Sequence, residues 1–275
     1  MQLASKFDGR LSSLRSDVAL TDAQIQRVAP SIFAMEKHAS RSERYTYIPT
    51  IEILQGLRKE GFSPFMVCQS CACTQSKREH TKHMVRLRHA AQIDGDEANE
   101  IILLNSHDGS SAYQMMAGVF RFVCANGMVC GDVLNDIRFR HSGNVIDNVI
   151  EGACRVLDDF DLVEGQKEGM KALTLSGGEQ AAFARAALAL RYDPVAGAAP
   201  VTEQQVLRPQ RTEDVGDDLW RTLNRVQEHM LTGGLRGRSA TGRTSTTRQI
   251  TAIDQNIKLN RGLWVLAEEM QRLKG

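Results

Sequence analysis

Residues 103–128, LLNSHDGSSAYQMMAGVFRFVCANGM, set two turn-forming dipeptides inside an otherwise strand-like apolar run. Asp108-Gly109 and Asn126-Gly127 each join a residue that tolerates positive φ to a glycine, so each can close a tight hairpin between apolar segments. Three short strands are expected here, joined as a meander.

Helical signals flank this centre. Thr21 and Gln24 have capping-box spacing ahead of IQRVA, and Pro30 ends or kinks that helix, so residues 1–40 read as an N-terminal helical arm. Thr50 after Pro49 starts a short helix, IEILQGLRKE, that Gly61 stops, and FMVCQSCAC, HMVRLRHAAQ and EIILLNS follow as strands. Beyond Asn126-Gly127 the helical period returns in VIDNVIEGACRVLDDF and EQAAFARAALALRY. Residues 41–191 are thus expected to form an α+β core domain, a short helix plus an antiparallel β-meander.

Residues 192–218 carry three of the six prolines together with VAGAAP, the composition of a linker or long exposed loop. Residues 219–275 read as a C-terminal helical hairpin. Leu219, Leu223, Val226 and Met230 form one stripe closed by Gly233-Gly234. Ile250, Ile253, Ile257, Trp264 and Ala267 form the other, interrupted by Asn260, which is expected to fix the register between helices. The Trp220 and Trp264 helices should then pack antiparallel about an arginine-rich loop.

A formal net charge of +1 with 24% charged residues means that affinity for nucleic acid has to come from local clustering of cations. MQLASKFDGRLSSLRSD has no apolar signal-peptide core, and no stretch approaches the roughly 20 apolar residues of a membrane span, so a cytoplasmic protein with no membrane partner is expected. The six cysteines are then reduced thiols packed as small hydrophobes.

Three catalytic or metal motifs are approached and missed. LSGGEQAAFARAALAL at residues 175–190 resembles the signature segment of an ATP-binding-cassette ATPase, but no phosphate-cradling GxxxxGK[ST] loop accompanies it. GRSATGRT has Arg243 in place of the lysine and a helix before it, so Ser176, Gly177 and Gly178 read as a turn opening an alanine-rich helix. Cys68, Cys71, Cys73, His80, His83 and His89 include zinc-type ligands, yet strand alternation puts Cys68 opposite Cys71 and Cys73, and the spacing is short for a finger. His107, Asp108 and Ser110 are too close in sequence to converge as a triad. No metal, no cofactor and no catalytic set are expected, and an enzyme is the weakest reading.

The strongest chemical signal is cationic. Residues 229–253 contain no acidic side chain, and Arg236, Arg238, Arg243 and Arg248 alternate with Gly, Ser and Thr just before the last helix. Glycine admits close backbone approach, and a helix N-terminus favours an anion, so the loop suits phosphates. Lys82, Arg86 and Arg88 alternate along one strand and are expected to extend this into a backbone-tracking face. Arg121, between Phe120 and Phe122, should face away from both rings toward a carboxylate or a phosphate.

Residues 103–128, with RYTYIPTIEIL at 44–54 and the DLWRTLNRVQEHMLTGG and NRGLW segments of the C-terminal tract, resemble an uncharacterised phage/plasmid-like protein family of prophages and conjugative plasmids. His107, Asp108, Gly109, Arg121, Cys124 and Asn126 lie in the segment that carries the likeness. The resemblance covers nearly the whole chain and implies a mobile-element context with no established activity. The helix–meander–helix order is also similar in outline to phage single-strand annealing proteins, a topological analogy only. The function expected is non-catalytic binding of nucleic acid, single-stranded DNA first, for binding or annealing. The alternative is a counter-defence or regulatory protein that binds a host protein. Assembly as a homo-oligomer is compatible with both.

Overall fold

The computed structural model describes residues 3–7, 11–36, 38, 47, 49–71, 78–89, 93–94, 97–122, 126–130, 137–139, 145–239 and 241–274. The chain divides into two compact units, Met1–Phe122 with Leu134–Phe160, and Val123–Val133 with Asp161–Gly275.

The first unit is built on an antiparallel sheet. Its strands are β1 (Leu3–Phe7), β2 (Leu11–Arg15), β3 (Phe62–Ser70), β4 (His83–His89), β5 (Ile93–Asp94), β6 (Glu97–Asn105) and β7 (Tyr113–Arg121). They run in the order β1-β2-β3-β4-β6-β7, with β5 on β6. The helices are α1 (Asp22–Val28) and α2 (Thr50–Lys59). Thr21 caps α1 with the capping box its spacing predicts, and Pro30 opens a 3-10 turn over Pro30–Phe33. Asp108-Gly109 makes the β6–β7 turn as expected: Gly109 has φ +73°, and Asp108 Oδ1 accepts the Ser110 N–H at 2.9 Å.

Alternation decides the two faces of the sheet. Val67, Val85, Leu87, Ile101, Leu103, Tyr113 and Met115 pack beneath Ile25, Ile32, Ile53, Leu54 and Leu57. Cys68, Met84, Arg86, Arg88, Glu100, Ile102, Met116 and Phe120 are buried on the other face. Four strand spacings separate β2 from β7, about 19 Å in a flat sheet, yet the Arg15 guanidinium lies 4.8 Å from the Phe120 ring centroid. The sheet therefore curls, and this second face is its inside.

Beyond β7 come β8 (Asn126–Val129), in the second unit, and β9 (Ile137–Phe139), which pairs β7 in the first. Helix α3 (Val145–Ala172) begins in the first unit, where Val149, Ala153, Val156 and Phe160 complete the core, and continues into the second.

The second unit carries α4 (Gly177–Arg191), α5 (Glu203–Leu207), α6 (Leu219–Thr232), the hairpin β10 (Arg236–Arg238) and β11 (Thr244–Thr246), and α7 (Ile253–Lys274). Ser176 and Glu179 form a capping box at the start of α4, so the alanine-rich helix is present as expected but takes in Gly177 and Gly178, which were expected in the turn before it. Helices α6 and α7 are antiparallel, since Trp220 meets Trp264 edge to face at 6.3 Å while Gln227 meets Asn260.

The α+β class, the meander and the C-terminal helical hairpin match expectation. Three segments differ. Residues 3–7 and 11–15 are strands rather than part of a helical arm, because β2 pairs β3, setting Leu14 opposite Val67 and supplying the edge that β3 would otherwise expose. Asn126-Gly127 opens strand β8 instead of forming a turn, and the residues that precede it, 123–125, lie outside those described. Residues 192–218 are packed, with Val201, Val206 and Asp214 buried and a Thr202–Gln205 capping box starting α5.

Candidate functional site

The arginine hairpin grows out of the end of α6. In β10, Arg236 pairs with Thr246 and Arg238 with Thr244, so the two arginines share one face of the ribbon and Gly237 takes the other. A Cβ on Gly237 would lie 1.7 Å from the Pro200 carbonyl oxygen, a contact that only glycine permits. The Arg238 N–H donates to that same oxygen at 2.9 Å, and Gln205 Nε2 donates to the Arg236 carbonyl at 2.8 Å. Segment 200–205 thus covers the glycine face and turns both arginines to solvent. Arg191 on α4 donates to the carbonyls of Met230 and Arg248 and so ties the end of α6 to the segment that follows β11.

Arg236, Arg238, Arg243 and Arg248 are all exposed. Among the described residues, none of the four has a carboxylate oxygen within 4.0 Å, whereas Arg185, Arg211, Arg221 and Arg272 of the same unit are each paired. Arg236 and Arg238 thus share an exposed ribbon face, with Arg243 and Arg248 flanking β11 on either side.

The second cationic patch lies elsewhere than expected. Lys82 is half-buried just before β4, while Arg86 and Arg88 point into the curled sheet and are 3% and 1% exposed. Glu100 on β6 bridges them, with Oε2 2.6 Å from Arg86 Nε and Oε1 2.9 Å from Arg88 Nε. The alternation is as expected but the burial is not, because the facing carboxylate comes from the neighbouring strand β6. Arg86 and Arg88 therefore do not form an exposed face. Arg121 has a carboxylate partner, Glu97, directly across the strands at 3.4 Å.

A third cluster joins the helices to the sheet in the first unit. Gln69 Oε1 accepts from the Ser31 N–H and hydroxyl at 2.9 and 2.7 Å. Ser31 Oγ then lies 2.8 Å from His83 Nδ1, His83 Nε2 lies 2.9 Å from Thr50 Oγ1, and Asn105 Nδ2 donates to Thr50 Oγ1 at 3.0 Å. Because the Ser31 hydroxyl proton goes to Gln69, Ser31 Oγ accepts from His83 Nδ1–H, and with Nε2 unprotonated the Thr50 hydroxyl donates to it while its oxygen accepts from Asn105. Burial pushes the His83 imidazole down to about 4, opposed by the Thr81 carbonyl and the Asp108 charge. His107 packs its ring against His83 at 5.1 Å and Tyr47 at 4.8 Å. The Ser31, Thr50, His83 and Asn105 side chains are sealed from solvent, so the network holds elements in place.

A family model described as a domain of unknown function, DUF932, matches residues 37–264. The chain belongs to the DUF932 family. Among its relatives are two proteins of Escherichia coli (strain K12). UPF0380 protein YafZ is 51% identical over 269 residues, covering 98% of this chain and 97% of that protein. UPF0380 protein YfjQ is 50% identical over the same length and coverage. No solved structure matches.

Within this DUF932 chain, His107, Asp108 and Gly109 sit together at the β6–β7 turn, with Arg121 at the far end of β7. Asn126 opens β8, and Cys124 lies outside the described residues, as does Cys73. Cys71 is exposed, whereas Cys68 is sealed inside the sheet, where burial pushes its thiol up to about 12 against the pull of Arg86 and Arg15. Among the described residues no group of three or more His, Cys, Asp or Glu is placed to hold a metal ion. No helix among them is long and apolar enough to cross a membrane. Ser31, Thr50, Gln69 and Asn105 escape sequence reasoning, since isolated polar residues in strands and caps give no signal until the fold brings them to one histidine.

Proposed function

We propose that this protein binds nucleic-acid phosphates through the β10–β11 hairpin, without catalysis, and that single-stranded DNA of a mobile genetic element is its ligand. The observation that carries the reading is the set of exposed arginines without carboxylate partners, Arg236, Arg238, Arg243 and Arg248, on and beside a ribbon clamped by Pro200, Gln205 and Arg191. A guanidinium offers a rigid fork to two phosphate oxygens, and a preformed ribbon loses little entropy on binding. Contacts to phosphate position a chain without reading bases, so the binding is indifferent to sequence.

Filter binding to single-stranded and duplex DNA across a salt series tests this. Affinity should fall steeply with salt, with the single strand bound more tightly. Replacing Arg236, Arg238 and Arg243 together by Ala should weaken binding equally for unrelated sequences. It should also flatten the log–log salt slope by roughly 0.7 per lost single-strand phosphate contact. A wild-type protein that retains no DNA at low salt would overturn the reading and favour an acidic host protein as the ligand of the ribbon.

A further inference from the structure

Arg88 poses a separate question at the rim of the curled sheet. Its Nε is held by Glu100, yet among the described residues neither Nη1 nor Nη2 has a hydrogen-bond partner, and the side chain is only 1% exposed. Three phenylalanines surround the guanidinium carbon, Phe120 at 4.1 Å, Phe65 at 4.5 Å and Phe122 at 5.0 Å from their ring centroids. Phe65 reaches this place because the β3–β4 register slips between Pro64 and Met66, a bulge that re-aims one side chain.

Cation–π contact satisfies the faces of a guanidinium but leaves its in-plane N–H groups without acceptors. With Nε taken, the free edge is the Nη1–Nη2 fork, which matches the two oxygens of an oxyanion. The local charge has the same sense. Among the described residues, Arg15, Arg86 and Arg88 converge near this face with the buried carboxylate of Glu100, and the exposed carboxylate of Asp17 also acts on Arg88. Burial pushes the Arg88 guanidinium below its usual range, and Glu100 opposes this. Phe122 and Arg15 are only half-buried, which puts the site near solvent.

We infer that the Arg88 fork, framed by Phe65, Phe120 and Phe122, is a binding site for one small oxyanion, with the chemistry shared by phosphate and carboxylate. The site belongs to the first unit and does not depend on the arginine hairpin.

The test starts from the Arg236→Ala, Arg238→Ala, Arg243→Ala variant, so that hairpin cations do not contribute. Thermal unfolding followed by far-ultraviolet circular dichroism is recorded against inorganic phosphate, acetate and chloride at matched ionic strength. A ligand that binds only the folded chain raises the midpoint in a concentration-dependent way. Phosphate or acetate should do so with saturation and chloride should not, and the more effective of the two names the oxyanion. Arg88→Lys, which keeps the charge and loses the fork, should weaken the effect at least ten-fold.

Should that variant fail to fold, 15N-arginine labelling of wild-type protein supplies the second measurement. The buried Arg88 Nη protons should exchange slowly enough to be observed and should shift on addition of the effective anion. Equal midpoints in all three anions, or Arg88 resonances unmoved by phosphate and acetate, overturn the inference. A wild-type chain that binds oxyanion here but retains no DNA would sink only the hairpin reading.

Discussion

His83 shows how much of a small region one proton can decide. Its Nε2 accepts from Thr50, whose oxygen in turn accepts from Asn105, so a second proton on the ring would take that acceptor from the Thr50 hydroxyl and place a charge in a sealed site. The imidazole is neutral in the folded chain down to about pH 4, whereas in the unfolded chain it takes a proton near its ordinary 6.5. Between those values the unfolded state binds more protons, so stability falls as pH drops from about 6.5 to about 4 and then levels off. The shift corresponds to roughly 3 kcal/mol. Urea unfolding of wild type and of His83→Gln at pH 7 and pH 4.5 isolates this contribution. Wild type should lose more stability than the variant over that interval, and equal losses would show that His83 is not held neutral.

At this scale the sequence was least legible. His83 was visible as one of several zinc-type ligands, and Ser31, Thr50 and Asn105 come from a 3-10 turn, a helix start and a strand end that only tertiary structure gathers. Arg86 and Arg88 make the same point with charge. Alternation predicts their shared face correctly, and Glu100, which is what permits their burial, stands on another strand.

Elements were legible where the signal is local. The Thr21–Gln24 box and the Asp108-Gly109 turn each act within a few residues and form as expected. The N-terminal strands are harder to see, although Asp8-Gly9 lies between Phe7 and Leu11, which pair in β1–β2. The capping box at Thr21 and Gln24 is the stronger local signal, and it extends a helical expectation back over a segment whose strand character depends on pairing with β3. Asn260 was legible from its interruption of an apolar stripe. It is fully buried, its Oδ1 accepts from Gln227 Nε2 at 2.6 Å, and its Nδ2 donates back to the Asn256 carbonyl at 2.9 Å.

That pair predicts a non-additive response. Asn260→Leu alone removes one acceptor of the buried Gln227 amide and should cost about 1–3 kcal/mol. Adding Gln227→Leu should recover much of the loss, because an apolar pair needs no acceptor. Denaturant midpoints of the two single variants and the double variant measure the coupling; strictly additive changes would mean the contact contributes nothing to helix register. Trp264→Ala is the apolar control on the same seam. Trp264 is fully buried and donates from Nε1 to Glu268 at 2.8 Å, so its truncation should cost roughly 3–5 kcal/mol. An unchanged thermal midpoint would contradict that burial.

For the whole molecule, the division into units follows contacts that no composition shift announces. Proline and small residues at 192–218 suggested a boundary, yet Val201, Val206 and Asp214 are buried there, and Arg211 forks onto Glu228 of α6 with both contacts at 2.6 Å. The C-terminal hairpin is therefore one part of a larger packed unit. That unit also takes in residues 123–133, far upstream, where Met128, Val129 and Cys130 are buried. Gln227, whose amide serves Asn260, also lies 3.5 Å from the Gly127 carbonyl. A fragment of residues 161–275 would keep α4, α5, α6 and α7 but lose β8 and the apolar side chains it contributes. Removing these buried side chains at once, at about 2–5 kcal/mol for each large one, costs an amount comparable with the roughly 5–15 kcal/mol that typically separates folded from unfolded domains. The fragment should retain helical circular dichroism yet give poorly dispersed NMR spectra and a broad, non-cooperative thermal transition, the behaviour of a chain that keeps secondary structure without fixed packing. A sharp transition and dispersed spectra from residues 161–275 alone would show that β8 is dispensable and that the second unit is continuous in sequence.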